Sequence, residues 1–328
     1  MHILEILKQR AMASAGTIVL PEANDKRTLA AAAQICAQKI AHVVLLGQKE
    51  QVLAEAAKWN YDLAACEIID PATSADLDLF TEVLYERRKE KGMSKADAQL
   101  TMQNPLYFGA MMVKQGRASG MVAGAANTTA DVLRSALHVV GVRPGLKTVS
   151  SCFIMVSPQE NDKTYLFADC AVVPNPTAEQ LADIASSTAE SRRSILADEP
   201  LVALLSFSTL GSAEHELVEK VREAKGILDA RKVDFSYDGE LQLDAAIIES
   251  IARSKAPHSK VAGRANTLVF PDLQAANIGY KLVQRLGGYE AIGPIIQGLA
   301  APICDLSRGC SVQDIVNTSI LVLLMSKK

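Results

Sequence analysis

Short apolar runs alternate with segments of helical spacing along almost the whole chain. Residues 1–13 have the spacing of an amphipathic helix, and Thr17-Ile-Val-Leu20 follows as a compact strand. An Ala-rich helix is predicted from Thr28 to about Lys39, then a strand at His42-Val-Val-Leu-Leu46, a helix to about Trp59 and a strand within Ala65–Asp70. Residues 75–117 read as helical throughout, with a joint at Asn104-Pro105, because proline suits the first turn of a helix and breaks its interior. Gly120-Met-Val-Ala123 is a short strand that leads through the small-residue loop Gly124–Thr129 into a helix carrying Asp131 and Arg134. Such alternation predicts an α/β protein whose mainly parallel sheets are covered on both faces.

Gly141-Val-Arg-Pro-Gly145 is a cluster of helix breakers and the expected first crossing between domains. Beyond it, Thr148–Val156 and Thr164–Ala168 read as a hairpin around the polar turn Ser157–Lys163. Pro174-Asn-Pro176 precedes a predicted helix to about Ile195, followed by a strand over Leu201–Phe207, helices at 213–230 and 240–253, a strand at Thr267–Phe270, and a helix opened by Pro271-Asp272 that runs to about Leu286. A second crossing is expected near Pro294–Pro302. The last helix is too short and apolar to stand alone, so it is expected to return to the first domain. The expected division is residues 1–143 with 298–328, and residues 144–297.

Composition narrows the class. Of the 328 residues, 49% are hydrophobic and 22% charged, which is the balance of a globular chain. A formal charge of −3 gives no electrostatic case for nucleic acid. No stretch has the apolar length of a membrane span, and the N-terminus has no signal-peptide core, so a cytoplasmic protein is expected. The six cysteines have neither C-x-x-C nor zinc-ligand spacing and read as reduced thiols; no metal site is expected. The chain has no phosphate loop, no nucleophile elbow, no dinucleotide fingerprint after its first strand, and only isolated histidines.

The stretch Asp305-Leu-Ser-Arg-Gly-Cys-Ser-Val-Gln-Asp314 lies between a buried strand end and an apolar helix. Ser311-x-x-Asp314 is a helix-start pattern, and a plain capping box accounts for Asp314 without any chemistry. The same N–H-rich helix end favours anions, and Arg308 adds a planar fork suited to phosphate. The residues therefore point to an anion-handling site. The small-residue loop at 124–129 is where an α/β sheet places a ligand, although capping by Asn127, Thr128 or Thr129 explains it equally. By composition alone, Arg87-Arg-Lys-Glu-Lys91 is a solvated helix face.

Three blocks carry a family resemblance: Phe270–Arg285 with Gly293–Pro302 and Asp305–Ser311, Leu20-Pro-Glu-Ala-Asn-Asp-Lys-Arg-Thr-Leu29, and Gly120–Arg134. Together they resemble the phosphate acetyltransferases over nearly the whole chain. The resemblance implies interconversion of acetyl-CoA plus phosphate with acetyl phosphate plus CoA, with no metal, covalent intermediate or cofactor beyond CoA as substrate. It also implies a homodimer of two-domain subunits with an active-site cleft between the domains. It places catalysis on Ser307, Arg308 and Asp314, cleft arginines at Arg88 and Arg134, and a peripheral CoA contact at Arg285, with Asn127, Thr128 and Thr129 near the substrate. Many relatives have Asn where this chain has Cys304. A phosphate butyryltransferase and a non-catalytic acyl-CoA sensor are the alternative readings.

Asp314 is the difficult assignment. An aspartate titrates near 3.9 and a free thiol near 8.5, so complete proton transfer is uphill by about 6 kcal/mol. A helix N-terminus widens the gap. Either burial raises the Asp314 carboxyl, or the site mainly stabilises thiolate.

Overall fold

A computed structural model describes residues 3–159 and 163–326. The first two residues of the expected N-terminal helix, and residues 160–162 of the Ser157–Lys163 turn, lie outside the described residues. In chain order the first elements are α1 (Ile3–Met12), β1 (Thr17–Leu20), α2 (Lys26–Ala37), β2 (His42–Leu46), α3 (Lys49–Lys58) and β3 (Glu67–Ile69). There follow α4 (Leu77–Arg88) with a 3-10 turn at Lys89–Lys91, α5 (Lys95–Met102), α6 (Pro105–Lys114), β4 (Gly120–Ala123) and α7 (Thr129–Val139). Next come β5 (Ser150–Val156), β6 (Thr164–Ala168), α8 (Ala178–Leu196), β7 (Leu201–Leu205), α9 (Glu216–Arg231) and β8 (Ser236–Leu241). The last are α10 (Leu243–Ile247), α11 (Glu249–Lys255), β9 (Thr267–Val269), α12 (Leu273–Arg285), β10 (Glu290–Gln297), β11 (Ile303–Asp305) and α13 (Val312–Met325). The described residues divide into two compact units, one formed by Leu4–Arg143 with residues 299–326, the other by Pro144–Gly298 with Ile3.

The discontinuous unit is built on five strands in the order β11-β4-β1-β2-β3, every neighbouring pair parallel. Alternate strand residues Val19, Val44, Leu46, Met121 and Ile303 share one core with Phe80, Phe108 and Met111. The opposite face is covered by α2 and α13, and α13 packs on β4 and β1. Gly120 admits that helix, since a Cβ there would lie 2.1 Å from Val322 Cγ1. The joint at Asn104-Pro105 is a true boundary: Asn104 caps α6 by accepting from the Leu106 N–H, and Pro105 takes the first turn.

Strand order reverses beside β1, with β2 and β3 on one side and β4 and β11 on the other. The loops after β1, β4 and β11 therefore lie side by side at the carboxyl ends of three adjacent parallel strands. That edge is where open α/β sheets hold ligands.

The continuous unit has six strands in the order β10-β5-β6-β9-β7-β8. The β10/β5/β6 part is antiparallel and the β6/β9/β7/β8 part is parallel. Two of these strands escape the sequence pattern. Strand β8, Ser-Tyr-Asp-Gly-Glu-Leu, is poor in β-forming residues and is held by pairing with β7. Strand β10 contains Gly293-Pro294, yet it is an edge strand whose ladder shifts register between Ile292 and Ile295, where a missing N–H is tolerated. The helix expected over 240–253 is two short helices, α10 and α11, following the end of β8. None of the six cysteines is in a disulfide, and Cys36 and Cys66 lie with their sulfurs 3.3 Å apart. No helix among the described residues is long and apolar enough to cross a membrane.

Candidate active site

The segment between β11 and α13 is short and rigidly tied. Ser311 caps α13 by accepting from the Asp314 N–H at 3.1 Å. Asp314 Oδ2 in turn accepts from Ser311 N at 2.8 Å and Ser311 Oγ at 2.9 Å. The capping box is therefore complete, and it uses one carboxylate oxygen of Asp314. Asp314 is exposed, so the burial expected around its side chain is not there. Ser307 and Arg308 are also exposed; Ser307 Oγ accepts from the Gly309 N–H at 3.3 Å. The Arg308 guanidinium has no hydrogen-bond or ion-pair partner among the described residues. A planar cation held out on a fixed loop is poised for an anion. Cys310 is buried, and burial pushes its thiol up, away from the thiolate a nucleophile needs.

What fixes this loop is Arg27, from the first turn of α2. Its Nη1 donates to the carbonyls of Arg308 at 2.7 Å and Cys310 at 2.9 Å. Its Nη2 donates to the carbonyl of Ala125 at 2.6 Å and to Asp25 Oδ2 at 2.7 Å, while Nε donates to Asp25 Oδ1 at 3.0 Å. Every N–H of the guanidinium is used, and the loops after β1, β4 and β11 are joined through one side chain. The Asp25 hydrogen bonds raise Arg27 above its ordinary value, and the same pairing lowers Asp25.

The small-residue loop after β4 is occupied from within. Glu22, 3% exposed, accepts from the backbone N–H groups of Ala125 at 2.8 Å, Ala126 at 3.0 Å and Asn127 at 2.7 Å, and from Asn127 Nδ2 at 2.8 Å. This is an anion nest filled by the protein's own carboxylate. Thr128 is the cap of α7, accepting from the Asp131 N–H at 3.2 Å. Thr129 Oγ donates at 2.6 Å to Asp305 Oδ2, the last residue of β11. All three residues singled out on this loop thus have internal partners, and capping accounts for Thr128.

Asp305 is buried, and its other oxygen, Oδ1, has no partner. Burial pushes its carboxyl up to about 6, against the Thr129 hydrogen bond, with Glu22 adding a smaller repulsion. Gly124 makes room for it: φ is +107°, and a Cβ would stand 2.4 Å from Asp305 Oδ1.

Arg134 and His138 share a face of α7, four residues apart. Arg134 is exposed and pairs with Asp131 at 2.8 Å. Arg88, at the end of α4, is half-buried with Nε enclosed and unpartnered, and it has no carboxylate partner among the described residues. Its Nη2 lies 3.2 Å from His138 Nε2, and His138 Nδ1 lies 3.1 Å from the Tyr107 hydroxyl. Arg88 and Arg134 both act electrostatically on His138, so the structure brings these two cations to one place. Arg308 makes no direct contact with them. The two groups are linked through α7, which spans about 14 Å from Thr129 to His138 at 1.5 Å per residue. Arg285 ends α12, in the other unit, and is exposed.

Sequence reasoning missed Arg27, Glu22, Tyr107 and His138. Glu22 and Arg27 stand inside the Leu20–Leu29 block, but their partners are about a hundred residues away or more. His138 reads as isolated because both its neighbours come from other helices.

The family described as phosphate acetyl/butaryl transferase matches residues 2–323. The chain belongs to that family. Among its relatives within the phosphate acetyl/butaryl transferases, the phosphate acetyltransferase of Treponema pallidum is 50% identical, the alignment covering 99% of each protein. That of Thermoanaerobacterium thermosaccharolyticum is 51% identical over 97% of each. A solved phosphotransacetylase from Streptococcus pyogenes superimposes with a TM-score of 0.93 at 43% identity, covering 99% of this chain and 98% of that one. This member of the family is accordingly an enzyme of the acyltransferase class.

Proposed function

We propose that the enzyme interconverts acetyl-CoA and inorganic phosphate with acetyl phosphate and CoA, by direct transfer within a ternary complex. The observation that carries this reading is the loop at 307–314. It presents a hydroxyl, an unpaired guanidinium and a carboxylate, all exposed, at the end of a strand and the start of a helix. Relatives at 50% and 51% identity that are acetyltransferases support the acetyl group over the butyryl alternative.

In the direction that consumes acetyl phosphate, the CoA sulfur attacks the carbonyl carbon. A C–S bond forms, the carbon–oxygen bond to phosphate breaks, and phosphate leaves with that electron pair. Asp314 accepts the thiol proton on Oδ1, the oxygen its capping box leaves over. Ser307 Oγ–H donates to the carbonyl oxygen as it becomes an oxyanion, a contribution of about 2.7–4 kcal/mol in comparable sites. Arg308 grips the phosphoryl oxygens, and its charge also favours thiolate over thiol. This bears on the mismatch between an aspartate and a thiol, since Asp314 itself is exposed. Arg88 and Arg134 supply further positive charge for the phosphoryl group, and Arg285 a peripheral contact for CoA. Asn127, Thr128 and Thr129 act by shaping the loop beside the substrate. No cofactor beyond the CoA substrate has a part in these steps.

The same reading makes the protein a cytoplasmic homodimer. Ile278 and Leu282 on α12 and Leu286 just past its end, exposed in the single chain, give a second copy an apolar face to cover, and sedimentation tests it.

The deciding assay is phosphate-dependent release of CoA from acetyl-CoA by the purified chain, run beside butyryl-CoA. Turnover of acetyl-CoA is expected, with butyryl-CoA slower. Binding of acetyl-CoA with no phosphate-dependent release would overturn the proposal in favour of a non-catalytic sensor.

A further inference from the structure

We propose that His138, in its neutral Nδ1–H form and backed by Tyr107, is a positioning residue that holds the Arg88 guanidinium ready for an anion. The inference rests on the phosphate-binding role given above to Arg88.

The tautomer follows from the partners. An arginine can only donate, so His138 Nε2, 3.2 Å from Arg88 Nη2, must be the acceptor. The ring proton then sits on Nδ1 and is donated to the Tyr107 oxygen 3.1 Å away. An imidazolium would point a proton at the guanidinium and lose the contact. The surroundings favour the neutral ring from every side. Arg134 lies one turn back on α7, Arg88 comes from α4 and Lys91 from the 3-10 turn after it; Arg87, also on α4, donates to the His138 carbonyl at 3.0 Å. From α6 the Tyr107 hydroxyl, itself pushed up by burial, meets the other ring nitrogen. Burial first, then the Arg88, Arg134 and Lys91 charges, lower His138 below its ordinary value.

Arg88 needs such a tether because it lacks the usual one. A partly buried arginine is ordinarily held by a carboxylate. A carboxylate here would neutralise the fork and compete with phosphate. A neutral imidazole orients the same guanidinium and leaves its charge unspent. The Arg88 Nε is buried with no hydrogen-bond partner, so the contact with His138 is the side-chain hydrogen bond that orients this guanidinium among the described residues.

The tether makes two kinetic predictions. His138→Leu removes the acceptor and should raise KM for phosphate roughly tenfold, the scale on which losing a supporting partner of a binding residue is felt. KM for acetyl-CoA should stay within about twofold. His138→Gln places an amide oxygen near the position of Nε2 and should restore the phosphate KM to within about threefold of wild type. The second prediction is the pH profile. Wild type, but not His138→Gln, should lose phosphate affinity as His138 protonates in acid; taking the ratio of the two enzymes cancels the titration of phosphate itself. A folded His138→Leu variant with wild-type phosphate KM would overturn the proposal, as would equal damage to both KM values in the Leu and Gln variants.

A readout independent of turnover separates this idea from the functional reading it rests on. Nitrogen-15 NMR of the full-length protein at pH 7.5, with His138 assigned through His138→Gln, should show the Nδ1–H tautomer, and Arg88→Ala should abolish that preference. An Nε2–H tautomer or an imidazolium in wild type would overturn the tether. Absent phosphate-dependent CoA release, with the tautomer as stated, would overturn only the activity.

Discussion

Arg27 Nη1 donates at 2.7 Å to the carbonyl of Arg308, a residue 281 positions further along the chain. The exposed fork that would meet phosphate is thus carried on a backbone held by a second, fully committed fork. The two arginines have opposite roles, and substitution should separate them.

Arg27→Ala leaves the carbonyls of Ala125, Arg308 and Cys310 without this donor. A loss of about 2–4 kcal/mol of stability is expected, with kcat/KM down roughly a hundredfold through misplacement of the loop. Arg27→Lys cannot reproduce the fork and should recover only part of either. Denaturant unfolding and steady-state kinetics check both; an Arg27→Ala enzyme of normal stability and rate would refute the staple.

Arg308→Ala removes no contact within the protein, so its stability should stay within about 0.5 kcal/mol of wild type. Turnover should fall by about a hundredfold or more. Should unfolding instead shift by several kcal/mol, Arg308 has a structural partner and the phosphate assignment weakens.

Asp314→Asn keeps an oxygen able to accept from Ser311, so the start of α13 should survive at a cost below about 1 kcal/mol. If Asp314 takes the thiol proton, turnover should drop by at least about a hundredfold, while CoA affinity stays within a few-fold. Near-normal turnover would remove Asp314 from the chemistry and leave it a cap.

Asp305 should make stability fall with rising pH. Its carboxyl moves from 3.8 up to about 6 on folding, so between these values the native state binds the extra proton. The carboxyl costs nothing below the lower value. The cost grows through the window and is complete above about pH 6, reaching at most roughly 3 kcal/mol at 1.36 kcal/mol per pH unit. Asp305→Asn keeps an acceptor for Thr129 and removes the charge. Unfolding curves at pH 4, 6 and 8 should show the variant gaining on wild type as pH rises; a constant difference would contradict the assigned burial effect.

Gly124→Ala is expected to destabilise by about 2–4 kcal/mol, because a left-handed backbone and a Cβ 2.4 Å from Asp305 Oδ1 leave no room to relax. Soluble yield and denaturant midpoint measure it. A tolerated alanine would mean that the loop after β4 shifts freely.

Much of the fold is written in local pattern. The strands at Thr17–Leu20, His42–Leu46 and Gly120–Ala123 are apolar runs bounded by breakers, and Asn104-Pro105 marks a helix boundary by chemistry alone. Strands β8 and β10 are different, because pairing with β7 and β5 overrides Asp238, Gly239 and Pro294. The site divides in the same way. Ser311 and Asp314 stand three residues apart, and their capping box is legible because a helix start is a local event.

By itself the sequence determined the alternating α/β elements, the capping box at Ser311 and Asp314, and an arginine-bearing loop on a helix end. Each of these depends on residues within one or two turns of one another. Only the tertiary structure decided that Glu22 fills the nest at Ala125–Asn127, that Arg27 locks the Arg308 loop, and that His138 faces Arg88. Those contacts span 50 to 281 positions and exist because parallel strands distant in the chain end side by side and helices from different segments pack together. Hydrogen-bonding capacity can be read from a residue type; the partner that uses it is set by which chain ends the sheet and its helices bring together.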